Sequence, residues 1–304
     1  MIILDITRLT GLLIHKNKEI AMMKKIWFLN IVFILILFTA YPLNAQAQGP
    51  SPEDILDSLF SLNGFVTPTL DNDYYDSDNI LSAAYNVQSS YVQLQIGRNY
   101  GAGTIYSINK KEILILTAAH IFKNYNSADF NYAIFFNGIV TDTKLIYKDQ
   151  NFDMAIVSVD TSAIPAYDLM NLKSAPLSKA AFDEFEKQEQ KEVFALDSEI
   201  TIKPEENQIY NLYGNGTRIA SSYIYGPVLN SDIMVTDFGY KMLYAKCSAH
   251  NGMSGAGVFD SKCELVGILA GGSDKDEMVA LRLPDVLQAL SDFEAASTNE
   301  LSGK

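Results

Sequence analysis

Residues 113–120 read ILILTAAH, a run of four aliphatic residues followed by Thr117, two alanines and His120. A short and continuous apolar run of this length is typical of a buried β-strand. The segment therefore predicts a strand that carries a histidine directly after its end. The ordinary pKa of an imidazole, about 6.5, allows such a histidine to accept and return a proton near neutral pH.

On both sides of this strand the chain repeats a pattern of short β segments separated by turn residues. Branched and aromatic residues are enriched in them, and YVQLQI alternates apolar with polar side chains, as strands of a barrel or sandwich do. Six segments precede residue 160: 91–96, 103–108, 112–119, 132–140, 143–147 and 154–159. Eight more follow residue 191: 192–196, 199–202, 208–214, 217–226, 232–239, 241–249, 256–259 and 264–272. The pattern predicts two successive all-β units.

The stretches between and after these units differ in composition. Pro165, Pro176 and the charged segment KAAFDEFEKQEQKE predict a linker with one surface helix, and VLQALSDFEAA after Pro284 predicts an amphipathic C-terminal helix. The predicted organisation is a leader with a signal peptide at 1–47, whose true start is Met22 or Met23, an N-terminal extension or pro-segment at 48–88, a first β-barrel at 89–165, the linker at 166–192, a second β-barrel at 193–282, and the C-terminal helix and tail at 283–304.

The leader has the three parts of a secretory signal. Lys24 and Lys25 form a basic start, residues 26–40 are apolar and uncharged, and Ala45-Gln46-Ala47 is a small-residue cleavage site. The apolar run is shorter than the ~20 residues that a membrane-spanning helix needs. We therefore expect cleavage after Ala47, a secreted or periplasmic protein, and no stable membrane anchor after cleavage.

The chain is strongly acidic. Its formal net charge is −13, from 23 basic and 36 acidic residues. The leader holds five of the basic and two of the acidic residues, so the remaining 18 and 34 give a net charge near −16. Such a charge repels nucleic-acid phosphates and anionic lipid, so we expect neither as a partner.

Cys247 and Cys263 are the only two cysteines of the chain. An exported chain meets an oxidising compartment, in which an even pair of cysteines tends to join. We therefore expect a disulfide between them, with two free buried thiols as the alternative. They lack CxxC spacing and have only His120 and His250 as candidate co-ligands, so we expect no metal site and no cofactor.

Two further segments complete the pattern that begins with His120. Asp153 opens the segment DMAIV, and Ser254 lies within GMSGAG. Together with LTAAH, and in the same order along the chain, these segments resemble the histidine, aspartate and serine segments of the trypsin/chymotrypsin-like serine proteases. The resemblance covers about residues 92–283 and is closest at the histidine and serine segments. It implies a bacterial, secreted member with an all-β fold of two six-stranded antiparallel barrels and an active site in the cleft between them.

These residue types fit one reaction. A serine hydroxyl is a weak nucleophile near neutral pH, so a base must take its proton as it attacks the scissile carbonyl. His120 is suited to be that base, while Asp153 would fix the imidazole tautomer and stabilise the imidazolium. The resemblance implies that the amides of Gly252 and Ser254 form the oxyanion hole. The predicted function is a serine endopeptidase that hydrolyses protein or peptide substrates through an acyl-enzyme at Ser254.

The resemblance also implies where a substrate would bind. Ser248 would lie at the base of the primary specificity pocket, and His250 is either a wall of that pocket or a surface residue. Three residues of a later strand would form the edge that pairs with the substrate backbone: Ala270, Gly271 and Gly272. Glutamyl endopeptidases have a histidine where Leu269 stands, and no aspartate lies at the pocket base to favour Arg or Lys, so specificity stays open.

Two competing functions fit parts of this pattern. An α/β-hydrolase places its histidine after its serine, but no histidine follows His250, and the second half lacks alternating strands and helices. A catalytically inactive trypsin-like module that binds peptides or host proteins is the alternative to an enzyme.

Met253 replaces the aspartate with which pancreatic relatives activate their zymogens, so we expect no activation by that ion pair. The sequence indicates no oligomeric state.

Overall fold

In the computed structural model, residues 80–198 and 221–302 are described. The predicted leader and the predicted strands 199–202 and 208–214 lie outside these residues. None of the helices within the two described ranges is long and apolar enough to cross a membrane.

The first part of the described chain forms a seven-stranded sheet. Its strands are β1 (Tyr91–Ile96), β2 (Asn99–Ile108), β3 (Glu112–Thr117), β4 (Asn131–Phe135), β5 (Val140–Asp142), β6 (Lys144–Lys148) and β7 (Ala155–Asp160). They lie in the order β5-β4-β1-β2-β3-β7-β6, and every pairing is antiparallel. Only Thr143 separates the two edge strands. Its amide donates to the carbonyl of Asn131 (2.9 Å) and its hydroxyl to that of Ser158 (3.1 Å), so the sheet curls until its edges approach.

This sheet differs from the predicted closed barrel of six strands because one predicted strand is two. Segment 132–140 turns at Asn137 and Gly138, where Gly138 has a φ of +83° and its amide donates to the carbonyl of Phe135 (2.8 Å). Glycine adopts this left-handed conformation without a steric penalty. The all-β fold class is confirmed, with a curled half-barrel in place of the first closed barrel.

The second part forms the closed six-stranded antiparallel barrel that the sequence predicts. Its strands are β8 (Glu192–Ser198), β9 (Ser221–Val235), β10 (Tyr240–Ala245), β11 (Gly257–Asp260), β12 (Leu265–Ser273) and β13 (Glu277–Arg282), in the order β10-β13-β12-β11-β8-β9. Strand β9 is continuous where two strands are predicted. Strand β13 has no counterpart in the prediction, because EMVALR consists mainly of helix-favouring residues. Pairing with both β10 and β12 makes it a strand.

Within residues 80–198 and 221–302, four α-helices accompany the strands: α1 (Ile80–Val87), α2 (Ala166–Leu169), α3 (Lys179–Glu186) and α4 (Leu283–Ser302). The Ser178 hydroxyl caps α3 by accepting a hydrogen bond from the amide of Ala181 (3.1 Å). In α4, Leu283, Val286 and Leu290 lie on one face of the helix and are buried against the barrel.

Side chains alternate between two cores along strand β3. Ile113 and Ile115 belong to the core inside the curled sheet, whereas Leu116 belongs to the core of the closed barrel. On the neighbouring strand β7, Val157 and Ile156 divide in the same way. The two halves therefore share an apolar interface, which fixes the cleft between them.

The expected disulfide is wrong: Cys247 and Cys263 are free, buried thiols. Cys247 follows β10, beside the first residues of β13, whereas Cys263 precedes β12, beside the last residues of β13. The two cysteines thus lie towards opposite ends of the barrel. A disulfide spans at most about 7 Å between Cα atoms, which is too short to join them. Each contacts a backbone carbonyl instead, of Val193 and Ala83 respectively.

Candidate active site

The pairing of β3 with β7 brings His120 and Asp153 together. Thr117 at the end of β3 is the register partner of Ala155 at the start of β7. His120 lies three residues after Thr117, in a short 3-10 helix (Ala119–Phe122), and Asp153 lies two residues before Ala155. Because the strands are antiparallel, both residues emerge at the same end of the sheet.

Asp153 binds His120 through both carboxylate oxygens. Oδ1 accepts a hydrogen bond from the backbone amide of His120 (2.7 Å), and Oδ2 lies 2.6 Å from the ring Nδ1. The Asp153 side chain is mostly buried, whereas that of His120 is half exposed. Since a carboxylate only accepts, Nδ1 carries the proton, and Nε2 is the nitrogen left to act as a base.

The loop that carries Asp153 is shaped by a second carboxylate. Asp149 accepts hydrogen bonds from the amides of Asn151 (2.7 Å) and Phe152 (2.9 Å) through Oδ1, and its own amide donates to the carbonyl of Met154 (2.9 Å). Its other oxygen accepts from the Tyr147 hydroxyl (2.8 Å). This buried carboxylate therefore closes the turn in which Asp153 stands.

Tyr240 reaches the same loop from the closed barrel. Its hydroxyl accepts a hydrogen bond from the amide of Asp153 (2.9 Å), and its ring lies 5.3 Å from that of Phe152 in an edge-to-face arrangement. Burial raises the pKa of Tyr240 to about 12, so the hydroxyl is neutral near pH 7. Tyr240 thus links the barrel to the aspartate that orients the histidine.

Ser254 lies in the loop between β10 and β11. The next residue is Gly255, at a position where no larger residue would fit. Gly255 has a φ of +95°, and a Cβ there would lie 2.2 Å from the carbonyl oxygen of Ala102. Its amide donates to the carbonyl of Leu269 (2.7 Å), and the carbonyl of Ser254 accepts from the amide of Ala102 (2.8 Å). The serine loop is therefore attached to both halves of the fold.

The amides in this loop divide into two groups. Those of Met253, Gly255 and Ala256 donate to backbone carbonyls. Those of Gly252 and Ser254 donate to none of the described residues. Gly252 has a φ of +100° and open space around its Cα. These two amides, two residues apart and without an acceptor among the described residues, are available to an oxyanion.

Two clefts meet at His120. The Arg98 cleft, of about 610 Å³, is lined among others by Arg98, Lys123, His120, His250, Gly252 and Ser254. The Asp237 cleft, of about 520 Å³, is lined among others by His120, Asp153, Asp237, Phe238, Tyr240 and Ala270. The structure thus brings His120 together with Asp153 by hydrogen bonds and with Ser254 by a shared cleft.

His250 is paired with Asp197 of β8. Its Nε2 lies 2.8 Å from Oδ2 of Asp197, and its Nδ1 lies 3.0 Å from the carbonyl oxygen of Asn251. Both partners are acceptors, so each ring nitrogen faces a group to which it can donate, and the protonated imidazole is favoured. The hydrogen bond to Asn251 and the Asp197 charge accordingly raise the pKa of His250 above its ordinary value.

The other residues predicted to bind substrate are spread over the neighbouring surface. The Ser248 hydroxyl donates to Asp276 (3.0 Å), and Ser248 lines neither of the two clefts. Ala270 lines the Asp237 cleft. Gly272 packs against Ala249, since a Cβ there would lie 2.6 Å from the Ala249 carbonyl oxygen, and Gly271 lies beside Phe238.

Sequence reasoning did not find Tyr240 or Asp197. Each is far along the chain from the residue it binds, 87 and 53 positions away. Neither residue stands in a motif, so only a prediction of the strand pairing could have indicated that they lie near the site.

Comparison with known proteins identifies the fold and the family of the chain. No curated protein matches the chain. Among solved structures, the inactive form of a serine-to-alanine mutant of Rv3671c from M. tuberculosis is similar, with a TM-score of 0.50 and 14% identity over 76% of this chain and 98% of that chain. At that identity the likeness concerns the fold. The family model for the trypsin-like peptidase domain matches residues 101–268, more than half of the chain. The chain belongs to the trypsin-like peptidase family.

Proposed function

We propose that this protein is a secreted or periplasmic serine endopeptidase that cleaves peptide bonds through an acyl-enzyme at Ser254. The observation that carries the proposal is the His120–Asp153 pair, joined by two hydrogen bonds at the edge of the cleft that Ser254 lines. Membership of the peptidase family supports protein or peptide substrates. The location rests on the predicted signal peptide at residues 24–47.

In this proposal His120 acts first as base and then as acid. Nε2 takes the Ser254 hydroxyl proton while Oγ attacks the scissile carbonyl carbon. The amides of Gly252 and Ser254 stabilise the resulting oxyanion, and losing one such donor typically costs about 3 kcal/mol of barrier. The C–N bond then breaks as the imidazolium returns the proton to the leaving amine. Water, activated by the same nitrogen, hydrolyses the acyl-enzyme.

A peptide has a strand edge on which to bind. Strand β12 pairs with β11 only as far as Ile268. After an irregularity at Ala270, its residues 271–273 pair with β13 alone among the described strands. The free edge starts beside the serine loop, because the Leu269 carbonyl accepts from the amide of Gly255. Such an edge can add a substrate as one more strand.

A serine-reactive fluorophosphonate probe tests the proposal. We expect covalent labelling of the wild-type protein and none of the Ser254→Ala variant, with Ser162→Ala, at an exposed serine after β7, as the matched control that keeps its label. Cleavage of a casein substrate should follow the same pattern. If the folded wild-type protein neither reacts with the probe nor cleaves casein, the result favours the alternative, a catalytically inactive module that binds peptides.

A further inference from the structure

The two clefts differ in charge. None of the twelve residues that line the Arg98 cleft is Asp or Glu, and two of them, Arg98 and Lys123, are exposed cations. Within the described ranges neither cation forms an ion pair. The Asp237 cleft contains no lysine or arginine and has the carboxylates of Asp153 and Asp237.

The two cations are held beside the catalytic histidine. Arg98 lies in the turn between β1 and β2, and Lys123 directly follows the short helix of His120, its amide donating to the His120 carbonyl (3.1 Å). The Asn99 side chain donates to the carbonyl of Ile121 (2.8 Å), which ties these two segments together. The cations therefore occupy a defined place at the site.

Nearby acidic groups reduce this positive charge only in part. His250 also lines the Arg98 cleft, but its Nε2 pairs with the carboxylate of Asp197, so the pair carries no net positive charge. The carboxylate of Asp129 lies near the same turn, 3.6 Å from the position that a Cβ on Gly97 would take, and is not among the cleft's lining residues. Arg98 and Lys123 thus form a local positive field in a chain of net charge −13.

The strand edge of β12 fixes which part of a peptide meets this field. Beyond Leu269, β12 runs away from the serine loop, and all its pairings are antiparallel. A peptide that pairs antiparallel with residues 270–273 therefore approaches Ser254 with the residues that precede its scissile bond. The residues that follow the bond continue into the other half of the site, the Arg98 cleft.

We propose that Arg98 and Lys123 select substrates that carry carboxylates in the positions just after the scissile bond, the leaving-group side. The proposal rests on the proposed peptidase function and gives it a substrate class, acidic peptides. The negative net charge of the chain, taken alone, would instead disfavour acidic substrates. The selection is electrostatic, so it weakens as salt screens the charges.

Three internally quenched peptides test the proposal. They share the residues before the bond, taken from the best product of a random peptide library, and carry three Glu, three Gln or three Lys after it. We expect kcat/KM to fall in the order Glu, Gln, Lys, with a step of about fivefold from Glu to Gln at low salt, the size that two solvent-exposed ion pairs produce. The step should shrink in 0.5 M NaCl to about twofold or less.

Charge-reversal variants assign the effect to the two residues. The double variant Arg98→Glu/Lys123→Glu should prefer the Lys peptide, whereas Lys111→Glu, an exposed lysine in the turn before β3, should keep the wild-type order. Equal cleavage of the three peptides by the wild type, or an unchanged order in the double variant, overturns the inference while the peptidase function stands. Failure of the wild type to cleave any peptide or bind the fluorophosphonate probe contradicts the proposed function itself.

Discussion

Tyr240, in the closed barrel, contacts the loop of Asp153 in the curled sheet. Its hydroxyl accepts the Asp153 amide, and the two carboxylate oxygens of Asp153 in turn bind the backbone and ring of His120. The orientation of the imidazole therefore depends on an atom in the closed barrel. Tyr240 touches no reacting atom, so its role is to position Asp153.

Removing that hydroxyl should slow the chemical step. In Tyr240→Phe the ring keeps its packing against Phe152, but the Asp153 amide loses its acceptor, at a cost of about 1 kcal/mol. We expect kcat to fall by roughly fivefold to tenfold with KM nearly constant. Tyr225→Phe, at an exposed tyrosine of β9, is the control in steady-state assays. A kcat for Tyr240→Phe equal to that of the control contradicts the positioning role.

Gly255 tests how tightly the serine loop is packed. In Gly255→Ala the new methyl group would meet the Ala102 carbonyl and the Thr117 hydroxyl at a positive φ, so we expect the free energy of unfolding to fall by about 3 kcal/mol or more. Gly239→Ala shares the positive φ, of +78°, but has open space, so only about 1–2 kcal/mol should be lost. Urea denaturation measures both, and equal losses would contradict the packing argument.

At the scale of single elements, hydrophobic pattern predicted most strands because a buried sheet demands apolar residues whatever its pairing. It failed where pairing decides. EMVALR favours a helix by composition, but β10 and β12 leave one gap in the barrel and β13 fills it. The break of segment 132–140 at Gly138 and the continuity of β9 likewise depend on neighbouring strands.

The positions of the two thiols within the barrel have a chemical consequence. Burial raises the pKa of Cys247 to about 12 and also raises that of Cys263, so at pH 8 both remain protonated and unreactive. We expect Ellman's reagent to detect neither thiol in the native protein and both after unfolding in guanidinium. Rapid reaction in the native state, or absence of thiols after unfolding without reductant, would contradict this arrangement.

For the molecule as a whole, local segments were enough to predict the candidate triad, because each of its members stands in a short motif that one strand end provides. The same sequence gave no sign of Tyr240, of the His250–Asp197 pair or of the charge difference between the clefts. These features arise only when residues from distant strands meet. Short motifs therefore indicate the family, whereas the difference between the two clefts depends on the complete fold.

Helix α1, the first helix in the described part of the chain, is part of the barrel's core. Ala83 and Val87 are fully buried in the apolar cluster that includes Phe194 of β8, and the Ala83 carbonyl contacts the Cys263 sulfur. A protein that begins at residue 89 loses these contacts. We expect it to be less stable than one that begins at residue 78 by about 3–5 kcal/mol, measured by chemical denaturation.

This helix also limits where the chain can be cut during maturation. A protease that removed all residues up to 88 would expose apolar surface of the barrel and lower the stability of the cleaved protein. We therefore expect the N-terminus of the mature protein to lie at or before Ile80. Edman sequencing of protein recovered from the culture fluid or periplasm would locate it.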